Sequence, residues 1–220
     1  MRTRTNFEYA LEDLHKDMEE MGNRVEQAIE DSAHALEKQD IALAKRIVQN
    51  DRLIDDMEKA IEAKCLSLIT KEQPIARDLR VVSATLKSVT DIERIGDHAS
   101  DVAELVIRNG ESNLYGISDV MPQLVKEAKN MVYRAVHAFM KREIEEAREV
   151  IASDDIVDDL FNQMKEEIVR HFKEESVNPD MLVDLLMVAK YMERIGDHAV
   201  NICEWEIFRE TGAVDNTRLL

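Results

Sequence analysis

Chain breakers are scarce in this 220-residue chain, which has six glycines and three prolines, and aromatic residues make up only 5% of it. A β-sandwich or barrel needs more aromatic and β-branched residues and many more turn residues. An all-β fold is therefore excluded and α/β is disfavoured. The two cysteines, Cys65 and Cys203, stand far apart without CxxC spacing, which argues against a disulfide framework or a zinc site and for a reducing compartment. Long apolar runs are also missing. The most apolar stretch, Met181 to Ala189, is interrupted by Asp184 and falls short of the roughly 20 residues of a membrane-spanning helix. No apolar signal core follows Met1 to Asn6, so the expectation is a soluble, cytoplasmic protein. Positive charge is in deficit: 29 Lys and Arg against 46 Asp and Glu leave −17. Phosphate backbones and anionic lipid surfaces repel such a chain, so nucleic acid is not an expected partner. Cations, or basic faces of other proteins, are.

Hydrophobic residues, at 45%, suffice for a substantial core. The chain repeats itself. Glu93-Arg94-Ile95-Gly96-Asp97-His98-Ala99 recurs identically as Glu193-Arg194-Ile195-Gly196-Asp197-His198-Ala199. Upstream, Asp51 to Asp56 lies over Asp154 to Asp159 at an offset of 103, with Asp51 over Asp154 and Asp55 over Asp158. The change of offset is absorbed near Pro74 and Pro179, where loops belong. The chain reads as a tandem duplication, with repeats over 1–112 and 113–220.

Each repeat predicts three helices. The first begins near Asn6 and carries Leu11, Leu14, Met18, Met21, Val25 and Ile29 at helical spacing. Asp40 is an N-cap for the second, whose stripe is Ile47, Ile54, Ile61, Cys65 and Leu68. A third runs from about Ile75 to Asn109 and stops at Gly110. After a linker through Asp119, a fourth starts near Pro122, a fifth covers 143–175 and a sixth runs from Pro179 to Arg209. The fold class is all-α, with two three-helix bundles packed side by side.

Successive helical residues rotate by about 100°, so with Glu93 at zero, Asp97, Asp101 and Glu104 fall at about 40°, 80° and 20°. The second copy presents Glu193, Asp197, Asn201 and Glu204 in the same places. Ile95, Ala99 and Val102 lie on the far side. Like charges four apart repel by roughly 0.2–0.5 kcal/mol, and no lysine or arginine is expected to interleave either stripe. Gly96 and Gly196, mid-helix, cost about 1 kcal/mol each relative to Ala and admit a close neighbour. Asp51 and Asp154 sit inside the apolar stripes of their helices, where a carboxylate must be paired, hydrogen-bonded, neutral or metal-bound. Antiparallel packing of sequence neighbours brings Asp51 and Asp55 towards Glu93 and Asp97, and Asp154 and Asp158 towards Glu193 and Asp197. Two groups of four carboxylates point to all-oxygen sites for hard cations such as Mg, Mn or Fe. A solvated acidic face is the competing account of the same stripes. His98 and His198, about 140° from the glutamate, read as histidines hydrogen-bonded beside Asp97 or Asp197, and Arg94 and Arg194 as charge compensation.

Enzyme templates find no match. There is no Gly-rich phosphate loop and no GxSxG, and Glu12-His15 is an ExxH without a counterpart in the second repeat. No catalytic residue is assigned. The doubled ERIGDHA word, each copy preceded one helix earlier by DxxxD (Asp51/Asp55 and Asp154/Asp158), resembles the PhoU family of phosphate-signalling regulators over essentially the whole chain. That resemblance implies two three-helix bundles binding multinuclear clusters of divalent or trivalent metal, Fe or Zn, with Mn or Mg as alternatives. By position the ligands would be Asp51, Asp55, Glu93, Asp97, Asp154, Asp158, Glu193 and Asp197, with Asp101 as a further one. Its counterpart Asn201 departs from acid, which implies a weaker second site. The resemblance also implies a cytoplasmic homodimer that meets the membrane only through partners. Those partners are the ATPase subunit of a phosphate ABC transporter and a phosphate-sensing histidine kinase.

Three expectations follow. The first is a non-enzymatic, metal-binding regulator that restrains phosphate transport and keeps starvation signalling off when phosphate is plentiful. The second is a metal-carboxylate hydrolase acting on phosphoesters, and the third is a metal-free helical scaffold.

Overall fold

Amphipathic stripes of this kind each need a partner. In the computed structural model, which describes residues 2–110, 112–173, 177–214 and 217–218, they cover one another. The elements are α1 (Arg2–Lys38), α2 (Ile41–Glu72), α3 (Arg77–Asn109), a 3-10 turn at Tyr115–Ile117, α4 (Met121–Lys141), α5 (Ile144–His171) and α6 (Pro179–Thr211). A two-residue antiparallel pair, β1 (Ala213–Val214) with β2 (Thr217–Arg218), follows. This small ladder was not expected from the sequence and leaves the all-α class intact.

Local chemistry sets the boundaries. The Leu43 amide donates to the Asp40 carboxylate at 2.9 Å, the expected N-cap of α2. Between α1 and α2 the chain turns through Gln39 in the left-handed region, φ 56°, and Arg142 does the same between α4 and α5, φ 61°. The duplication is thus written into the backbone as well as the sequence. Gly212, also left-handed, closes α6, its amide donating to the Phe208 carbonyl at 2.8 Å. Two boundaries differ from expectation. α1 starts at Arg2 rather than near Asn6, because nothing in the preceding residues breaks a helix. α5 ends at His171, while residues 174–175 of its expected span lie outside the described residues.

α3 and α6 pack against each other at the centre, α2 flanks α3, and α5 flanks α6. α1 covers α2 and α3, α4 covers α5 and α6, and α1 touches α4. Ile95, Ala99, Val102, Ile195, Ala199 and Ile202 are all buried in the core. Facing those residues inward turns the opposite side of α3 and α6, which carries the acid stripes, outward to α2 and α5. Polar anchors tie the halves together: Arg108 and Asn109 at the end of α3 both donate to the buried Asp184 of α6, each at 2.8 Å.

Gly22 lets α1 and α4 meet closely, since a Cβ built on it would lie 2.7 Å from Val136 Cγ1. Gly22→Leu should therefore lower unfolding stability by about 1–3 kcal/mol through overpacking, measured by urea denaturation. An unchanged midpoint would show that this contact is easily repacked.

Candidate metal centre

α2 lies against α3 because Ile54 rests where a residue at position 96 would carry its Cβ: a Cβ on Gly96 would sit 3.0 Å from Ile54 Cδ1. That close approach places the acids of the two helices together. Carboxylate oxygens of Asp51, Asp55 and Asp97 lie within 4.8 Å of one another, the one such trio among the described residues. All three are half-buried. Burial, followed by the Asp97 and Asp55 charges, pushes the Asp51 carboxyl up to about 6, against a hydrogen bond from Ser100 that lowers it. Burial and Asp55 likewise raise Asp97, opposed by Arg94, which donates to its carboxylate at 2.9 Å.

Glu93, one turn back, has a side chain only 13% exposed. Burial, then Asp97, pushes it up to about 7. Its Oε2 is buried and accepts no hydrogen bond, although Arg94 Nε lies 3.4 Å away. Asp101 is partly drawn off to His98, Nδ1 to Oδ2 at 3.3 Å. Glu104 is exposed and outside the cluster.

The second repeat places its acids differently. Burial, Asp158 and Asp197 push Asp154 up to about 6, and burial with Glu193 raises Asp197. The four are thus electrostatically coupled, yet no trio of them comes within the spacing seen in the first repeat among the described residues. Asp158 and Asp197 are exposed. Lys190, at the position of Thr90, closes tightly on the Glu193 carboxylate. Arg94 compensates the first stripe as expected, while the expectation that no lysine interleaves the second is corrected by Lys190. Both act three residues from their carboxylate, one helical turn on the same face.

The histidines sit where α3 meets α6 and not beside Asp97 or Asp197. The rings of His98 and His198 are 5.6 Å apart, and His98 stacks on Tyr191 at 5.4 Å. His198 Nδ1 lies 2.9 Å from Asp91 Oδ1, which also accepts from the Asn201 amide at 2.9 Å. Asp91 and Ser100 are the residues that sequence reasoning missed. Asp91 falls at about 160° on the same wheel, next to His98 at about 140°, and that shared face was the available signal.

Fold and site together define a tandemly duplicated all-α bundle that gathers carboxylates where the second helix of each repeat crosses the third. The PhoU domain model matches residues 18–106 and 121–205, one copy in each repeat. The chain is 41% identical to a "Phosphate-specific transport system accessory protein PhoU homolog" of Clostridium acetobutylicum, covering 96% of each. It is 30% identical to the Escherichia coli "Phosphate-specific transport system accessory protein PhoU", covering 97% of this chain and 92% of that one. Among solved structures it is similar to PhoU from Pseudomonas aeruginosa, with a TM-score of 0.88 and 32% identity over 94% of this chain and 100% of that one. The chain belongs to the PhoU family. No described helix is long and apolar enough to cross a membrane.

Because Asp51 and Glu93 titrate higher when folded than their ordinary values of 3.8 and 4.5, ionising them costs folding free energy. Chelator-treated protein should lose stability as pH rises from about 4 to about 7 and then level off. Thermal melts across that range check this, and Asp51→Asn should flatten the fall.

Proposed function

We propose that this chain is a metal-loaded, non-enzymatic regulator of phosphate-specific transport. One observation carries the metal part: three half-buried carboxylates converge within 4.8 Å beside a glutamate whose buried oxygen accepts no hydrogen bond. Side chains that repel one another this closely fit an all-oxygen donor set for a hard cation, such as iron, Mn or Mg. Zinc, borderline-soft, is the weaker match to these donors. A bound cation supplies the positive charge that lets the carboxylates stay ionised together. Asp51, Asp55 and Asp97 would hold it, with Glu93 and Asp101 within reach of the same cluster. Asp154, Asp158, Glu193 and Asp197 would form a second, weaker site, because Lys190 already neutralises Glu193.

The regulatory part rests on relatives named as accessory proteins of the phosphate-specific transport system. In this reading the chain works in the cytoplasm as a homodimer. It docks on the ATPase subunit of a phosphate ABC transporter and on a phosphate-sensing histidine kinase, restraining uptake and keeping starvation signalling silent when phosphate is plentiful.

Asp55→Asn combined with Asp97→Ala should lower metal affinity by roughly tenfold or more and release phosphate uptake from restraint in phosphate-rich cells, whereas Asp197→Ala should have the smaller effect on both. Elemental analysis of purified protein and labelled-phosphate uptake are the measurements. Unchanged metal content would sink the metal part, and lost metal with normal restraint would sink its regulatory role.

A further inference from the structure

The two repeats are superposable in sequence but have diverged beside their acid clusters. In the first repeat a cavity of about 170 Å³ opens between α1, α2 and α3, lined by Arg24, Gln27, Arg46, Asn50, Asp51 and Gly96. Its wall at position 28 is an alanine. At the offset of 103 that relates α1 and α2 to α4 and α5, Ala28 becomes Met131, whose sulfur lies 3.6 Å from where a Cβ on Gly196 would sit. The methionine thus stands, buried, where the first repeat has only a methyl group. Arg24 and Arg46 become Glu127 and Glu149, and Asp31 becomes Arg134, which bridges Glu146 and Glu149. One repeat rims this cavity with guanidinium groups; the other sets a methionine, two glutamates and a salt-bridged arginine at the corresponding positions.

The donors and acceptors around the open cavity select the ligand. Arg24, which also binds Glu20, and Arg46, which has no ion pair among the described residues, offer fork-like donors suited to oxyanions. Gln27 and Asn50 add amide N–H groups. Asp31, already accepting from Gln27 at 2.8 Å, and Asp51 offer only acceptors, and a carboxylate has lone pairs to spare after one contact. An ion that both accepts and donates satisfies this mixture. Hydrogen phosphate does so, whereas sulfate carries no proton at neutral pH and would face Asp51 and Asp31 with repulsion alone. We infer that the α1–α2–α3 cavity of the first repeat binds inorganic phosphate, with Arg46 and Arg24 gripping its oxygens and Asp51 accepting its proton-bearing oxygen. Asp51 thereby belongs to both the cavity and the carboxylate trio, so ligand and cation meet at one side chain. The choice of phosphate over other protonated oxyanions rests on the regulatory reading above; the cavity itself does not.

Calorimetric titration of inorganic phosphate into the full chain, both metal-stripped and Mn-loaded, tests this. Saturable binding is expected, weakened at least about tenfold by Arg46→Glu and by Ala28→Met, the residues of the second repeat, with sulfate binding at least about tenfold more weakly. Both positions are solvent-accessible, and thermal melts confirm that the variants fold. Absence of saturable phosphate binding in both metal states overturns the proposal, as does binding that persists unchanged in both variants. Mn titration of the same samples reads the carboxylate trio separately. Mn binding without phosphate binding removes the cavity proposal alone; phosphate binding without Mn binding supports the cavity and removes Mn as the cation of the carboxylate trio.

Discussion

Repulsion among carboxylates where α2 crosses α3 is the constraint on which the rest of this molecule turns. Asp51, Asp55 and Asp97 are held together because α3 buries Ile95, Ala99 and Val102 in the core, which leaves its acid stripe on the opposite face, beside the acids of α2. Apolar burial worth roughly 25 cal/mol per Å² over long helices outweighs a local electrostatic cost of this size. The packing therefore stores an unfavourable charge arrangement, which raises Asp51, Glu93 and Asp97 above their ordinary values. Gly96 sharpens it, since any side chain there would push Ile54 and the acids of α2 away.

The same frame, used twice, has been tuned to two different ends. In the first repeat Arg94 compensates from the solvent side and leaves the trio open to a ligand. In the second, Lys190 closes on Glu193, Met131 packs beside Gly196, and Arg134 pairs with Glu146. Duplicated halves that share a backbone need not share a ligand, because substitutions of single side chains change charge and volume without disturbing the helices that present them.

The central seam brings the repeats into one body. His98 and His198 approach each other there, each satisfied at Nδ1 by an aspartate, Asp101 for the first and Asp91 for the second. Tyr191 stands where the first repeat has Asp91, so the pairing around the seam is not symmetric either. These contacts place polar groups in the seam between the two central helices, α3 and α6.

Periodicity and self-comparison were enough to establish six helices, the caps at Asp40 and Gly110, the duplication and the identity of the acidic residues. Each of those is a local property, set by the 100° step of a helix and by residues within one turn. The convergence of Asp51, Asp55 and Asp97 was legible as a helix-pairing argument, but the looser spread of Asp154, Asp158, Glu193 and Asp197 was not. The acids are identical in kind, and only the position of Lys190 and the exposure of Asp158 and Asp197 distinguish them. The Asp91–His198 contact and the open cavity at Ala28 were likewise invisible, since both depend on which face of one helix meets another across more than a hundred residues of chain. Local sequence determined what each helix is and which way its apolar side looks. Tertiary packing alone decided which charges would be neighbours, because distance between side chains on different helices is set by the crossing of those helices and not by their order along the chain.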